Sequence, residues 1–177
     1  FATYTVDVVS LTLHKKNGAV VDTLPLSTRV DFAQYVDLTE FFMIRTIPGG
    51  VYDTVTMVLD YRDADIQVET EAGDAAPVTA ILDGDGNAVE LLTVSVQFAE
   101  DKPLVVAPGT PAYLMLDFDL NASNTVDFDI SADPVLTVDP TLIADIQPED
   151  PKPHRIRGPL KAVNVETERF EIVVKPF

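Results

Sequence analysis

Apolar side chains in this sequence recur at every second position and almost nowhere at helical spacing. Tyr4, Val6 and Val8 alternate with Thr5, Asp7 and Val9, and the run continues through Leu11 and Leu13. Residues 51–62 repeat the pattern, with Val51, Val55, Met57, Leu59 and Tyr61 placed on one side. Successive side chains of a strand point to opposite faces, so this spacing describes extended segments with one dry face and one wet face. No helical stripe exceeds two turns.

Turn signals punctuate the strands. Asn17-Gly18 lies between residues 4–14 and 19–26, and both residue types tolerate positive φ, which predicts an antiparallel hairpin. Ile47-Pro48-Gly49-Gly50 reads as a tight turn feeding the strand at 51–62, with Ile66 and Val68 in a short strand after it. Asp83-Gly84-Asp85-Gly86-Asn87 is read as the tip of a second hairpin between 78–82 and 89–98. Strands are also predicted near 104–106, 112–120, 125–131, 135–138 and 142–146, with 112–120 and 125–131 expected to pair. Residues 30–44 are read as a strand near 29–32, a short strand or turn near 35–38, and a helical turn near 39–42. Short strands with turns about every ten residues predict an all-β fold. The expected architecture is an antiparallel two-sheet β-sandwich, Ig-like or prealbumin-like, with a short C-terminal β-hairpin.

Charge divides the chain. Across 177 residues there are 29 acidic and 12 basic side chains, a net charge of −17. Residues 1–150 carry 26 acids and 6 bases, whereas 151–177 carry 3 acids and 6 bases. Gln147-Pro148-Glu149-Asp150-Pro151-Lys152-Pro153 separates them with three prolines, a composition that favours an extended spacer. The expected organisation is a sandwich over 1–147, a Pro-rich linker over 148–153, and a hairpin over 154–177. Two strands rarely stand alone in water. The hairpin is therefore either the opening of a second small β domain, which the linker and charge reversal favour, or an addition to the first. The tail either docks on the acidic body or belongs to something else.

A field of −17 repels phosphate backbones and anionic membranes and favours divalent cations or basic partners. Its plainer meaning is a well-solvated surface. Without cysteine, there is no disulfide, thiol nucleophile or thiolate metal site. No apolar run approaches the ~20 residues of a membrane span. The chain begins at Phe1, which is read as a mature or trimmed N-terminus.

Two acidic groupings stand out. Asp117 and Asp119 share one face of strand 112–120, and Asp127 and Asp129 one face of strand 125–131. If the strands pair, four carboxylates meet, and like charges opposite one another need a counter-charge. A solvated acidic face is the plainer outcome. Ca²⁺, which takes six to eight oxygens, is the metal such a face suits, and a basic partner is the third option. Asp83, Asp85 and Asn87 also alternate like calcium ligands. An EF-hand is excluded, because its twelfth position is Val94 and strands flank the loop; a plain hairpin turn is the simpler reading. No cofactor other than Ca²⁺ is implied. His14 and His154 have no metal-ligand spacing and are read as surface residues. Acid pairs such as Asp63 and Asp65 arise by chance among 29 acids. Tyr35, Phe41, Phe42 and Tyr52 are read as core before platform. If 41–42 is extended, Phe41 and Phe42 cannot both point inward. No nucleophile elbow, phosphate loop, dinucleotide fingerprint or zincin helix occurs, so no catalytic residues are assigned.

Several segments together resemble a known family. They are the opening strand with Asn17-Gly18, Val36-Asp37-Leu38, Ile47-Pro48-Gly49-Gly50-Val51-Tyr52, Leu114 to Ser123, and Pro134-Val135-Leu136. Over residues 4–147 they resemble an uncharacterised bacterial envelope lipoprotein domain. The Pro-Gly turn is also similar to that of carboxypeptidase-regulatory-like and transthyretin-like sandwiches. Residues 157–170 look like the start of a small β domain that often follows it. The resemblance implies a lipid-anchored protein of the bacterial cell envelope, outer-membrane-anchored, periplasmic or extracellular, with its anchor removed from this chain. It transfers no activity and no site residues. The expected function is a non-enzymatic scaffold, adhesion or interaction domain with protein or glycan partners at the cell surface. The alternative is a calcium- or carbohydrate-binding accessory domain.

Overall fold

The computed structural model describes residues 1–128, 133–146 and 152–175. Its first sheet has seven strands: β1 (Thr3–Lys15), β2 (Val20–Asp22), β3 (Thr28–Asp31), β5 (Gly50–Glu69), β6 (Ala75–Pro77), β8 (Leu91–Gln97) and β9 (Leu104–Val106). The two long strands β1 and β5 pair antiparallel at its centre. β2 and β3 share the free edge of β1, and β9, β8 and β6 follow one another along the free edge of β5. The remaining pairings involve β4 (Thr39–Glu40), β7 (Ala80–Leu82), β10 (Met115–Phe118), β11 (Asn124–Asp127), β12 (Val135–Val138), β13 (Leu142–Asp145), β14 (His154–Arg155), β15 (Leu160–Asn164) and β16 (Arg169–Ile172). β10 pairs β13, and β11–β12–β7 form a three-stranded group. Phe118, Leu120, Leu136, Val138 and Leu142 from this second layer pack in one core with Tyr4, Val6, Val8, Val55 and Leu59 from the first. The fold is an all-β, mainly antiparallel sandwich.

The alternation breaks phase three times, and each break coincides with a register shift between β1 and β5. Tyr4, Val6 and Val8 are buried at even positions, but Leu11 and Leu13 at odd ones. A one-residue slip turns every later side chain to the wrong face unless a bulge absorbs it. The register of β1 against β5 shifts between Val8 and Ser10, which leaves Val9 as the extra residue. In β5 the buried set runs Tyr52, then Val55, Met57, Leu59 and Tyr61, then Ile66 and Val68. The two other register shifts lie opposite these changes. Tyr52, not Val51, therefore faces inward, and 51–62 and 66–68 belong to one 20-residue strand. Full burial of an aliphatic chain such as Leu59 or Leu136 stabilises the fold by about 1.5–3 kcal/mol each.

One polar network crosses the core. The Tyr4 and Tyr61 hydroxyls lie 3.0 Å apart, and the Tyr4 hydroxyl donates to Asn124 Oδ1 at 2.9 Å. Asn124 Nδ2 donates to the Leu120 carbonyl at 2.8 Å, which fixes the amide's orientation. Burial pushes the Tyr4 hydroxyl up to about 12 and raises Tyr61 further. Among the described residues, no buried side-chain polar atom lacks a partner.

Three local expectations are corrected. After β3 the chain makes its helical turn at Phe32–Tyr35, capped by Asp31, and is extended at Thr39–Glu40, so turn and strand are exchanged. The Asp83–Asn87 loop closes with a Leu82–Ala88 bridge, but its arms then part: β7 joins β12, in parallel, and β8 joins β5. The loop is thus the tip of a hairpin only one bridge long, whose arms then pass to different layers. Among the described residues, 112–120 and 125–128 do not pair either. Asp119 caps a helical turn, Leu120–Ser123, that carries the chain from β10 to β11, which pair with β13 and β12 respectively. The hairpins at Asn17-Gly18 and at β15–β16 form as read.

Candidate functional site

Without pairing between β10 and β11, the three described aspartates of the expected face, Asp117, Asp119 and Asp127, do not meet across a shared ladder. Asp117 accepts a hydrogen bond from Lys152 Nζ at 2.7 Å. Asp119 Oδ1 accepts from the Ala122 amide at 2.9 Å, the ordinary role of an N-cap aspartate. Asp127 ends β11 exposed, and Asp129 lies outside the described residues. At the Asp83–Asn87 loop, Asp83 Oδ1 accepts from the amides of Asn87 at 2.8 Å and Asp85 at 3.0 Å, and the Asn87 side chain also donates to Asp83. The Asn87 bonds lead in holding the Asp83 carboxyl below the usual carboxylate range. Asp83 and Asn87 satisfy each other, and Asp85 presents only its amide to Asp83. Among the described residues, no three His, Asp or Glu side chains converge to hold a metal.

The other singled-out residues are absorbed by structure. Tyr52 is fully buried and donates to the Pro48 carbonyl at 2.6 Å. His14 Nε2 lies 3.1 Å from Thr56 Oγ1 on the outer face of the first sheet. A cavity of about 210 Å³ lined by Phe98, Lys102 and Asp145 is smaller than the roughly 300 Å³ at which small-molecule sites begin.

A different cluster stands where the basic tail meets the acidic body. β14 pairs in parallel with β4, His154 beside Thr39 and Arg155 beside Glu40, and the Thr39 amide donates to the Pro153 carbonyl at 2.9 Å. The Glu40 side chain is only 3% exposed. It accepts from Arg155 Nε at 2.9 Å, from Arg157 Nε, and from the Tyr35 hydroxyl at 3.2 Å. Arg155 also donates to the Tyr35 hydroxyl at 2.9 Å, its guanidinium 5.3 Å from that ring's centroid. Burial pushes the Glu40 carboxyl up, but the hydrogen bonds from Arg157 and Arg155 outweigh it and hold the group below its ordinary value. His154 Nδ1 lies 2.9 Å from Thr39 Oγ1, and its ring meets Phe41 edge-on at 4.5 Å. Tyr35 and Phe41, read as core aromatics, thus border a junction.

Beyond the junction, β15 and β16 form a two-stranded ladder with one apolar side. Leu160 pairs with Ile172 and Val163 with Phe170, so these four share a face. A register shift between Leu160 and Ala162 brings Leu160 into phase with Val163. Lys161 and Glu171 pair at 3.0 Å through side chains two-thirds exposed, a contact worth little. Leu160, Val163 and Phe170 are 62%, 59% and 69% exposed, so the body does not cover this face. A concavity of about 510 Å³ opens beside Val163, Thr167, Arg169 and Phe170.

Comparison with family models, with curated proteins and with solved structures finds no match for this chain.

Proposed function

We propose that this protein is a non-enzymatic interaction module of the bacterial cell envelope, a rigid acidic sandwich that carries the β15–β16 hairpin as its contact element. The observation that supports the reading is the hairpin's exposed apolar face. A two-stranded sheet is marginal in water by itself, and contiguous exposed apolar side chains mark surfaces that meet something else. The envelope setting rests on the resemblance of residues 4–147 to envelope lipoprotein domains. The sandwich supplies stiffness, and the junction at Glu40 sets where the hairpin stands.

Retention of the purified chain on isolated bacterial envelopes tests the reading. The wild-type chain should be retained, and the double substitution Val163→Ser/Phe170→Ser should weaken retention by about 10-fold or more. Absence of wild-type retention, or equal retention of both proteins, refutes it.

A further inference from the structure

We propose that Glu40 is a charge clasp: its ionised carboxylate, gripped by Arg155 and Arg157, holds the C-terminal hairpin against the sandwich, and neutralising that one group releases the hairpin while the sandwich stays folded. This deepens the interaction-module reading and rests on it for its biological meaning, because it names what positions the contact element.

Among the described residues, few other contacts fasten the tail to the body. Backbone pairing is the two-residue β4–β14 ladder and the Thr39–Pro153 bond, and apart from Glu40 the side-chain contacts of β14 with the body are those of His154 with Thr39 and Phe41 and of Arg155 with Tyr35. The strands of the hairpin are exposed along nearly their whole length. The Lys152–Asp117 pair has both side chains about 30% exposed, where solvent screens most of the attraction. Glu40 differs in kind. Its side chain is 3% exposed, and the hydrogen bonds it accepts from both arginines are charge-assisted, that from Arg155 being partly buried.

The two sides of the clasp are also unequal. The Arg155 and Arg157 side chains are 36% and 51% exposed, so both guanidiniums stay within reach of water when the Glu40 charge is lost. The Glu40 carboxylate has no such exit without leaving β4. A neutral side chain there keeps the Tyr35 hydroxyl as a polar neighbour and an oxygen that can accept, but loses the charge that makes its bonds to the arginines strong. Among the described residues, the titratable and charged groups bonded to the carboxylate are Tyr35 from the helical turn, Arg155 from β14 and Arg157 beyond it, with His154 of β14 against the neighbouring Thr39. Because the docked carboxyl lies below its ordinary value, docking is complete above that value and is lost as pH falls through the docked one.

Trypsin reads the clasp directly, since it must take the arginine side chain into its own pocket. In Glu40→Gln, initial cleavage after Arg155 and Arg157 should rise about 10-fold or more over wild type, while cleavage after Arg62 within β5 stays unchanged. Unchanged cleavage at Arg155 and Arg157 overturns the proposal. If Glu40→Gln also opens the Arg62 site, the double substitution Arg155→Gln/Arg157→Gln decides by hydrogen exchange. Loss of protection at the Thr39 amide with Val55 to Leu59 still protected supports the clasp, and retained Thr39 protection overturns it. Neither readout involves envelope binding, so failure here is distinguishable from failure of the interaction reading.

Discussion

Removing the Tyr4 hydroxyl should cost far more than removing the Tyr61 hydroxyl, although the two atoms are only 3.0 Å apart. Asn124 Nδ2 is committed to the Leu120 carbonyl, so Oδ1 faces Tyr4 and must accept its only proton. Tyr61 must then donate to the Tyr4 oxygen. Tyr4→Phe leaves two groups unpaired at once, the Tyr61 hydroxyl proton and Asn124 Oδ1. With buried unsatisfied groups costing about 1–3 kcal/mol each and Asn124 only partly buried, the loss is roughly 2–4 kcal/mol. Tyr61→Phe leaves Tyr4 still bonded to Asn124 and forfeits one ordinary hydrogen bond, about 1 kcal/mol. The double substitution replaces the hydroxyl pair by apolar rings and should cost less than the sum of the single ones. Urea unfolding followed by circular dichroism measures all three, provided the slope m is unchanged. Equal losses for the two single substitutions, or a larger loss for Tyr61→Phe, would refute the assigned proton direction.

The same pair predicts alkaline sensitivity. Folded Tyr4 holds its proton to about 12 against an ordinary 10.0, so its contribution is complete below pH 10 and falls away up to about pH 12. That amounts to roughly 3 kcal/mol from Tyr4; phenolate absorbance should show Tyr4 and Tyr61 ionising only as the chain unfolds. Gly158→Ala should break the base of the C-terminal hairpin, because a Cβ there would sit 1.8 Å from the Val173 carbonyl oxygen. The expected result is fast amide exchange at Val173 and Lys175, which bond to Pro159 and Arg157, with no change in β1 or β5. Calcium at about 5 mM should leave the melting temperature unchanged, since Asp117, Asp119 and Asp83 already have partners. A rise reversed by EDTA would contradict that.

Most of the sandwich was legible because burial in a strand has a period of two, and β1 and β5 display it directly. Even the register shifts are written in the chain: buried Val8 and Leu11 are three apart, as are Tyr52 and Val55, and Tyr61 and Ile66 are five apart. Odd separations within one strand demand an odd number of extra residues, one at Val9 and three between Asp60 and Asp65. What alternation does not carry is partnership. Asp119 reads equally well as a strand residue or as a helix cap, and only the fold shows that it ends β10 and diverts the chain to another pairing. The Asp83–Asn87 loop likewise looks like a hairpin tip, while its arms serve different layers. Glu40 was one acid among 29, and its partners lie 115 and 117 residues away, beyond any local pattern.

The charge reversal after residue 150 did carry that information in coarse form, and the structure shows where it resides. Of the six tail cations, Lys152, Arg155 and Arg157 come first and meet Asp117 and Glu40 of the body. Past Gly158, Lys161, Arg169 and Lys175 are matched by Glu166, Glu168 and Glu171. The positive balance therefore belongs to the junction, and the hairpin beyond it is neutral. A body of net −20 repels other acidic surfaces at a distance, whereas a neutral ladder with one apolar side discriminates by shape and dry contact. The two regions of this chain thus act over different ranges, and the arginines between them neutralise the one body carboxylate at the junction, Glu40, so that the short-range face can be held in place.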